Sequence, residues 1–265
     1  MQAMSDWLHD LPVPWMALVV FGFTYLLTAV IHAGIAALAV GERIKSFKAI
    51  SSSMLPVLGI IFGLFVAFTA AQVWSDNDRA TDTVNREASA LRSAVVFASA
   101  FLGEPEAKLR GLIRNYVQEA ATVEWPLMAH RTASLKVPPR QLYEALQFVL
   151  SLPATSPAQQ AALHQITTAI ETALDARRQR IIVSFAEVNL VKWCCLYLQA
   201  ACVLLAIALV HCDDRLASLL AMGLFATGSA AAVLLIAAHD RPFIGQLAIM
   251  PDPLLQIMPD APAPR

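Results

Sequence analysis

Six histidines and four cysteines are the residues best suited to bind a metal or move a proton, and their spacing decides whether they could act together. His211 and His239 close the third and fourth apolar runs of the chain, so within one protomer a membrane thickness is expected between them. A shared site is therefore not expected. His32 lies inside the first apolar run; a titratable side chain at that depth is a functional candidate, with a hydrogen-bonded packing role as the alternative. Asp213 and Asp214, beside His211 and Cys212, form a short polar cluster that fits a cation or simply a solvated turn. Cys194, Cys195, Cys202 and Cys212 all fall in one apolar stretch without a CxxC pair, as small packing residues do. HExxH, GxSxG, P-loop and GxGxxG patterns do not occur. No catalytic residue, metal site or cofactor is expected, and the chain does not read as an enzyme.

The second apolar run holds the most informative pattern. At alternating spacings of four and three it carries Ser51, Leu55, Leu58, Phe62, Phe65, Thr69, Gln72 and Asp76, polar at both ends and bulky in the middle. Turned about 100° from that stripe lie Gly59, Gly63, Ala67 and Ala71, a small-residue face of the GxxxG kind that lets another helix approach closely. Copies arranged around an axis with the first stripe inward would form a pore with polar mouths, and Phe62 and Phe65 would be a constriction able to gate by dewetting. The same spacing also fits a buried helix whose Phe residues are ordinary core.

The elements that position these residues follow from composition. Apolar residues make up 57% of the 265-residue chain and charged ones 15%, against about 45–50% and 25% in soluble domains. With 19 basic and 20 acidic residues there is no charge excess to hold a nucleic acid. Four runs are free of formal charge: Pro14 to Val40, Ile50 to Trp74, Trp193 to Cys212 and Leu216 to Ala238. Each reaches the roughly 20 residues that cross a bilayer as a helix, and none alternates as a barrel strand would. The first fourteen residues contain no Lys or Arg, so the first run is expected to be a retained span rather than a signal sequence.

The expected fold is an all-α membrane protein with four transmembrane helices and a helical extramembrane domain inserted between helices 2 and 3. Residues 1–74 would hold an interfacial segment and helices 1–2, residues 75–192 the helical domain, residues 193–240 helices 3–4, and residues 241–265 an extended tail with a short turn near Leu254. Val84, Ala88, Leu91, Val95 and Ala98 extend the second helix beyond the lipid toward Leu102. A long helix is expected to start at Ser156-Pro157 and run toward Asn189. Pro242 should turn the chain after the fourth helix, Arg241 should meet an acidic residue or a helix end, and Phe243, Ile244 and Leu247 should fold back on the helical domain. Membrane-proximal cations, among them Arg79, Arg86, Arg92, Arg177, Arg178, Arg180 and Lys192, place this domain and both termini in the cytoplasm. The acidic N-terminal segment, with Asp6 and Asp10, points the other way.

Gly63-Leu64-Phe65-Val66, with Pro56 before it and Trp74-Ser75-Asp76-Asn77 after it, resembles the pore-lining second helix of bestrophins. More broadly, the chain resembles the bacterial bestrophin-like family in Leu58 to Phe68, Asn85-Arg86-Glu87-Ala88, Gly103-Glu104-Pro105, Leu109 to Tyr116, Glu124-Trp125-Pro126, Asp175-Ala176-Arg177-Arg178 and Asp240-Arg241-Pro242-Phe243 with Gly245. The resemblance implies a homo-oligomeric, pentameric anion channel in the bacterial inner membrane, with the lipid bilayer, further copies of itself and a permeant ion such as chloride as its partners. The acidic run that holds calcium in bestrophins is missing after the fourth helix. The rival expectation is a non-conducting membrane sensor or scaffold whose helical domain binds a partner.

Overall fold

The computed structural model describes residues 11–39 and 43–259, and between 43 and 53 only the side chains of Ile44 and Phe47. Ten residues at the N-terminus, residues 40–42 and residues 260–265 lie outside the described residues, as does the Ser51 side chain. The described chain is helical and contains no strand. In order it forms α1 (Val13–Leu38), α2 (Arg43–Ala98), α3 (Glu104–Glu119) running through a π turn at Ala120–Glu124, α4 (Trp125–Ala129), α5 (Arg140–Ser151), α6 (Pro157–Val183), α7 (Leu190–Val210), α8 (Arg215–His239) and α9 (Asp252–Gln256).

Among the described residues, four helices are long and apolar enough to cross a membrane: α1, α2 from Met54 onward, α7 and α8. Several of their hydroxyls and amides are satisfied within one helix turn, as suits lipid. In α1 the Thr24 and Thr28 hydroxyls donate to the carbonyls of Val20 and Thr24, each at 2.8 Å. Asn189 caps α7 by accepting from the Lys192 amide at 2.9 Å, and Asp214 caps α8 by accepting from the Leu216 and Ala217 amides at 2.9 and 3.1 Å.

The chain divides into two compact units. One takes Met1–Ser75, Glu187–Arg241 and Gly245–Leu247; the other takes Asp76–Ala186, Pro242–Ile244 and Ala248–Arg265. Residues 187–192 thus group with the membrane-spanning helices, and the tail from 241 onward is shared between units rather than forming a segment of its own. Two apolar clusters hold the first unit. Met16, Val20, Val73, Leu196 and Val233 form one, and Ile35, Phe62, Leu204, Ile207 and Met222 the other.

The second unit is packed around Val84 and Leu91 of α2, Leu109, Ile113 and Tyr116 of α3, Leu142 and Val149 of α5, and Ile166 and Ile170 of α6. Phe243 and Leu254 join that core from the C-terminal segment, whereas Leu247 is half-exposed. The short turn expected near Leu254 takes the form of the five-residue helix Asp252–Gln256. α2 contributes to both units without interruption over 56 residues. Its apolar face merely shifts to the Val84, Ala88, Leu91 repeat, and no proline follows Pro56 before the helix ends at Ala98. α6 stops at Val183, short of Asn189, which leaves Asn189 free to cap α7.

Gly103 joins α2 to α3 with φ +90° and open space where a side chain would point, so a substitution there meets backbone strain alone. Gly111, inside α3, also faces open space but has a helical backbone. Gly103→Ala is expected to lower stability by about 1–2 kcal/mol, and Gly111→Ala to raise it by roughly 0.5–1 kcal/mol. Thermal unfolding of the detergent-purified protein measures both, and equal shifts would contradict the assignment.

Candidate functional site

The second helix is the candidate conduction element, and its surroundings show what each face does. Phe62 is 8% exposed and its ring lies 5.3 Å from that of Phe225, centroid to centroid, on α8. Thr69 is buried as well, its hydroxyl donating to the Phe65 carbonyl at 2.8 Å. Leu55, Leu58, Phe65, Gln72 and Asp76 are half-buried. Gln72 accepts a hydrogen bond from the Lys192 ammonium, and Asp76 lies 3.8 Å from Arg79 one turn on. The stripe from Leu55 to Gln72 is thus the side on which α2 packs against its own protomer.

The opposite arc is bare. Ile60 is 64%, Leu64 52% and Phe68 72% exposed, with Val57 and Ile61 beside them. Gly63 and Ala67 are exposed and Gly59 half-exposed, and neither glycine has an atom within 4 Å of where a Cβ would stand. A glycine in a helix interior costs up to about 1 kcal/mol relative to alanine. Among the described residues, nothing uses the space that Gly59 and Gly63 leave.

In the helical unit, residues from widely separated motifs meet in one buried charge cluster. Arg180, fully buried on α6, donates from Nε to Glu87 Oε2 at 2.7 Å and from Nη2 to Glu87 Oε1 at 3.1 Å. The same Nη2 reaches Glu124 Oε2 at 3.0 Å, and the guanidinium carbon lies 4.6 Å from the centre of the Trp125 ring. Arg177 donates to Glu124 Oε1 from Nε at 2.8 Å and from Nη2 at 2.5 Å. The Tyr116 hydroxyl donates to Glu87 Oε1. Two cations and two anions balance, as buried charge requires.

Burial opposes the charged form of Arg180, but the Glu87 carboxylate, with Tyr116 and Glu124 behind it, outweighs that and raises its pKa. Tyr116 is held well above the ordinary tyrosine range, chiefly by burial and next by the charge of Glu87, so it stays a donor. Every carboxylate oxygen of this cluster is taken, an arrangement that ties α2, α3, the π turn and α6 together. Sequence reading picked out Glu87, Glu124 and Arg177 only as parts of motifs and did not connect Arg180 or Tyr116 with them. One signal was present: Glu87 occupies an apolar-face position between Val84 and Leu91, where a carboxylate needs a partner.

The segment after α8 divides its work. In the first unit the Asp240 carboxylate accepts from the Val188 amide at 2.6 Å, and Arg241, buried, lies 3.2 Å from Glu187. In the second unit Phe243 packs edge-on against Trp125 at 5.8 Å, while the Trp125 indole donates to the Ile249 carbonyl at 2.9 Å and the Ile249 amide to the Pro242 carbonyl at 2.8 Å.

A family model, the bestrophin-like domain, matches residues 22–254. The chain belongs to the bestrophin-like family. Among solved structures it is similar to a bacterial bestrophin homolog from Klebsiella pneumoniae. A point variant of that protein superposes with a TM-score of 0.68 at 11% identity, over 91% of this chain and 97% of the other. The form solved by zinc phasing gives 0.63 at 13% identity, over 91% and 98%. At that identity the likeness is one of fold. No curated protein matches the sequence. In this chain the Glu87, Glu124–Trp125, Arg177 and Asp240–Phe243 motifs are packing and pairing elements.

Arg180→Ala, which leaves Glu87 buried without its counter-ion, is expected to cost about 3–5 kcal/mol and to abolish recovery of folded protein. Arg178→Ala removes an exposed pair with Asp175 at 2.7 Å and is expected to change stability by less than about 1 kcal/mol. Size-exclusion profiles and thermal unfolding of the two variants in detergent separate these outcomes.

Proposed function

We propose that this bestrophin-like protein is a homo-oligomeric ion channel of a bacterial inner membrane, with an axial path lined by α2 and with the helical unit and both termini in the cytoplasm. The bare arc of α2 is the observation that carries this reading. In its most apolar stretch α2 is 17% buried, against 22% for α1, 39% for α7 and 33% for α8. At 100° per residue, Ile60, Leu64 and Ala71 hold the middle of the arc, Gly63 and Ala67 one edge, and Ile61 and Phe68 the other.

An edge of small residues and an edge of large ones fit each other when two copies are related by rotation, and such a head-to-tail contact closes into a ring. Five is the number that the family resemblance supplies. In such a ring the middle of the arc faces the axis, and a collar of Ile60 and Leu64 offers no polar atom to replace an ion's hydration shell. On this reading the constriction lies one face away from the stripe centred on Phe62. Anion conduction, with chloride as the permeant ion, fits a mouth where Arg79 offsets the charge of Asp76.

Ion flux through purified protein in lipid vesicles tests the proposal. Replacing Ile60 and Leu64 together by Ala is expected to raise flux several-fold with the oligomer intact. Phe62→Ala is expected to destabilise by about 3–5 kcal/mol through the cavity it leaves, without raising flux per assembled oligomer. A gain from Phe62→Ala alone would return the lining to the Phe62 stripe. Flux at the lipid background in all variants, with intact oligomers, would favour the non-conducting scaffold. Chloride against potassium permeability in the wild type and in Asp76→Asn decides selectivity.

A further inference from the structure

The charge-bearing half of α2, from Asp76 to Ala98, belongs to the helical unit, and its two sides are unlike. Toward the core of that unit it turns Val84, Glu87, Leu91 and Ala94, none more than 1% exposed. The other side is exposed along its length in consecutive pairs: Asp78 with Arg79, Asn85 with Arg86, and Val96 with Phe97. Consecutive helix residues stand about 100° apart around the axis and about 1.5 Å apart along it. Each pair therefore puts one member on either edge of the exposed face at nearly one height. Asp78, Asn85 and Val96 hold one edge, and Arg79, Arg86 and Phe97 the other, with Asp82 between them.

Within the protomer these side chains are little used. Arg79 lies 3.8 Å from Asp76 and keeps further guanidinium donors for another acceptor. Asp82 and Arg86 have the i,i+4 spacing and order that favour a local ion pair. Among the described residues, however, neither of them is in an ion pair, nor is Asp78. Val96 and Phe97 are 57% and 38% exposed, and two adjacent apolar side chains of that size gain by being covered. Rotation about an axis along the helix keeps every residue at its own height. One edge of a copy then meets the other edge of the next, so that Asp78 faces Arg79, Asn85 faces Arg86 and Val96 faces Phe97. The contacts are an ion pair, a hydrogen bond from a guanidinium to an amide oxygen, and an apolar pair. A further exposed pair, Arg92 and Ser93, likewise sets no like charges together.

We infer that the exposed face of α2 in the helical unit is a contact seam between copies of this chain, with Asp78 of one copy paired to Arg79 of the next. The inference rests on the ring proposed above and names a surface that fixes its register beyond the most apolar stretch of α2. A foreign partner would need a face matched to both edges, whereas a second copy supplies it by symmetry. One exposed ion pair is worth little. A ring repeats it at every junction, and reversing the charge on one edge sets like charges together at every junction.

Native mass spectrometry of the full-length protein in detergent, over a dilution series, tests the seam. The wild type is expected to be an oligomer. Asp78→Arg and Arg79→Asp, each alone, are expected to raise the concentration of half-dissociation about tenfold. The two substitutions together exchange the charges of the edges and are expected to restore the wild-type value, which a general loss of stability would not do. Val96→Ser with Phe97→Ser should weaken assembly in the same direction without touching charge. An oligomeric wild type whose variants all dissociate at its own concentration overturns the seam and leaves the ring standing. Weakened single variants without recovery in the exchanged one overturn the pairing of Asp78 with Arg79. A wild type that is monomeric at every concentration overturns seam and ring together. Assembly is read without flux, so the seam and the conduction claim fail separately.

Discussion

The helical unit depends on one guanidinium without access to water. Arg180 can stay charged in that interior only because Glu87 and Glu124 are brought to it, and each carboxylate comes from a different part of the chain. That demand sets the position of α2 beyond the membrane span, the depth of α3 through Tyr116, and the direction in which the π turn leaves α3. Apolar packing around Leu91, Ile113 and Ile170 supplies most of the driving force, but it tolerates sliding, whereas paired charges at under 3 Å do not. A buried ion pair adds little to net stability against an apolar substitute. Its contribution here is register.

In the membrane-spanning unit the governing condition is different, because every helix there can satisfy its backbone alone and none needs a neighbour for it. Contacts between helices therefore come from shape. α8 meets α1 closely along Ser218, Met222, Ala226 and Ala230, and α2 adds Phe62 and Val73 to the same body. The remaining side of α2 has bulky residues along one edge and glycines along the other, which is costly in a solitary helix and useful in an assembly. The arc carries the mark of a surface made to be covered.

Much of this was legible in the amino-acid order. Charge-free runs identified the spans because lipid tolerates few ionised groups, and Ser156 and the Gly103-Glu104-Pro105 break marked helix ends by local chemistry alone, whereas the long helix expected to run toward Asn189 stops at Val183. Legibility failed where it depended on what lies across a gap. Helical spacing correctly sorted α2 into stripes, but periodicity orders residues around an axis without saying which stripe meets the same chain and which meets another copy. Phe62, which fitted either a pore lining or ordinary core by spacing, packs on Phe225 of the same chain. Likewise Glu87 and Arg180 lie 93 positions apart, and only the folded arrangement of α2 and α6 makes them partners.

The π turn at Ala120–Glu124 has a consequence for how this part of the chain can change over generations. A π turn is an α-helix carrying one surplus residue, so the helix through Tyr116 and Trp125 contains a built-in frame shift. Tyr116 is registered to one side of it, Glu124 and Trp125 to the other. Losing a single residue from Ala120, Ala121 or Thr122 would let the stretch close to a regular α-helix with Glu124 and Trp125 still facing the two arginines, because the wide turn already absorbs the surplus residue. An added residue has no such slack and would swing Glu124 by about 100°. The stretch is therefore open to losing a residue and closed to gaining one.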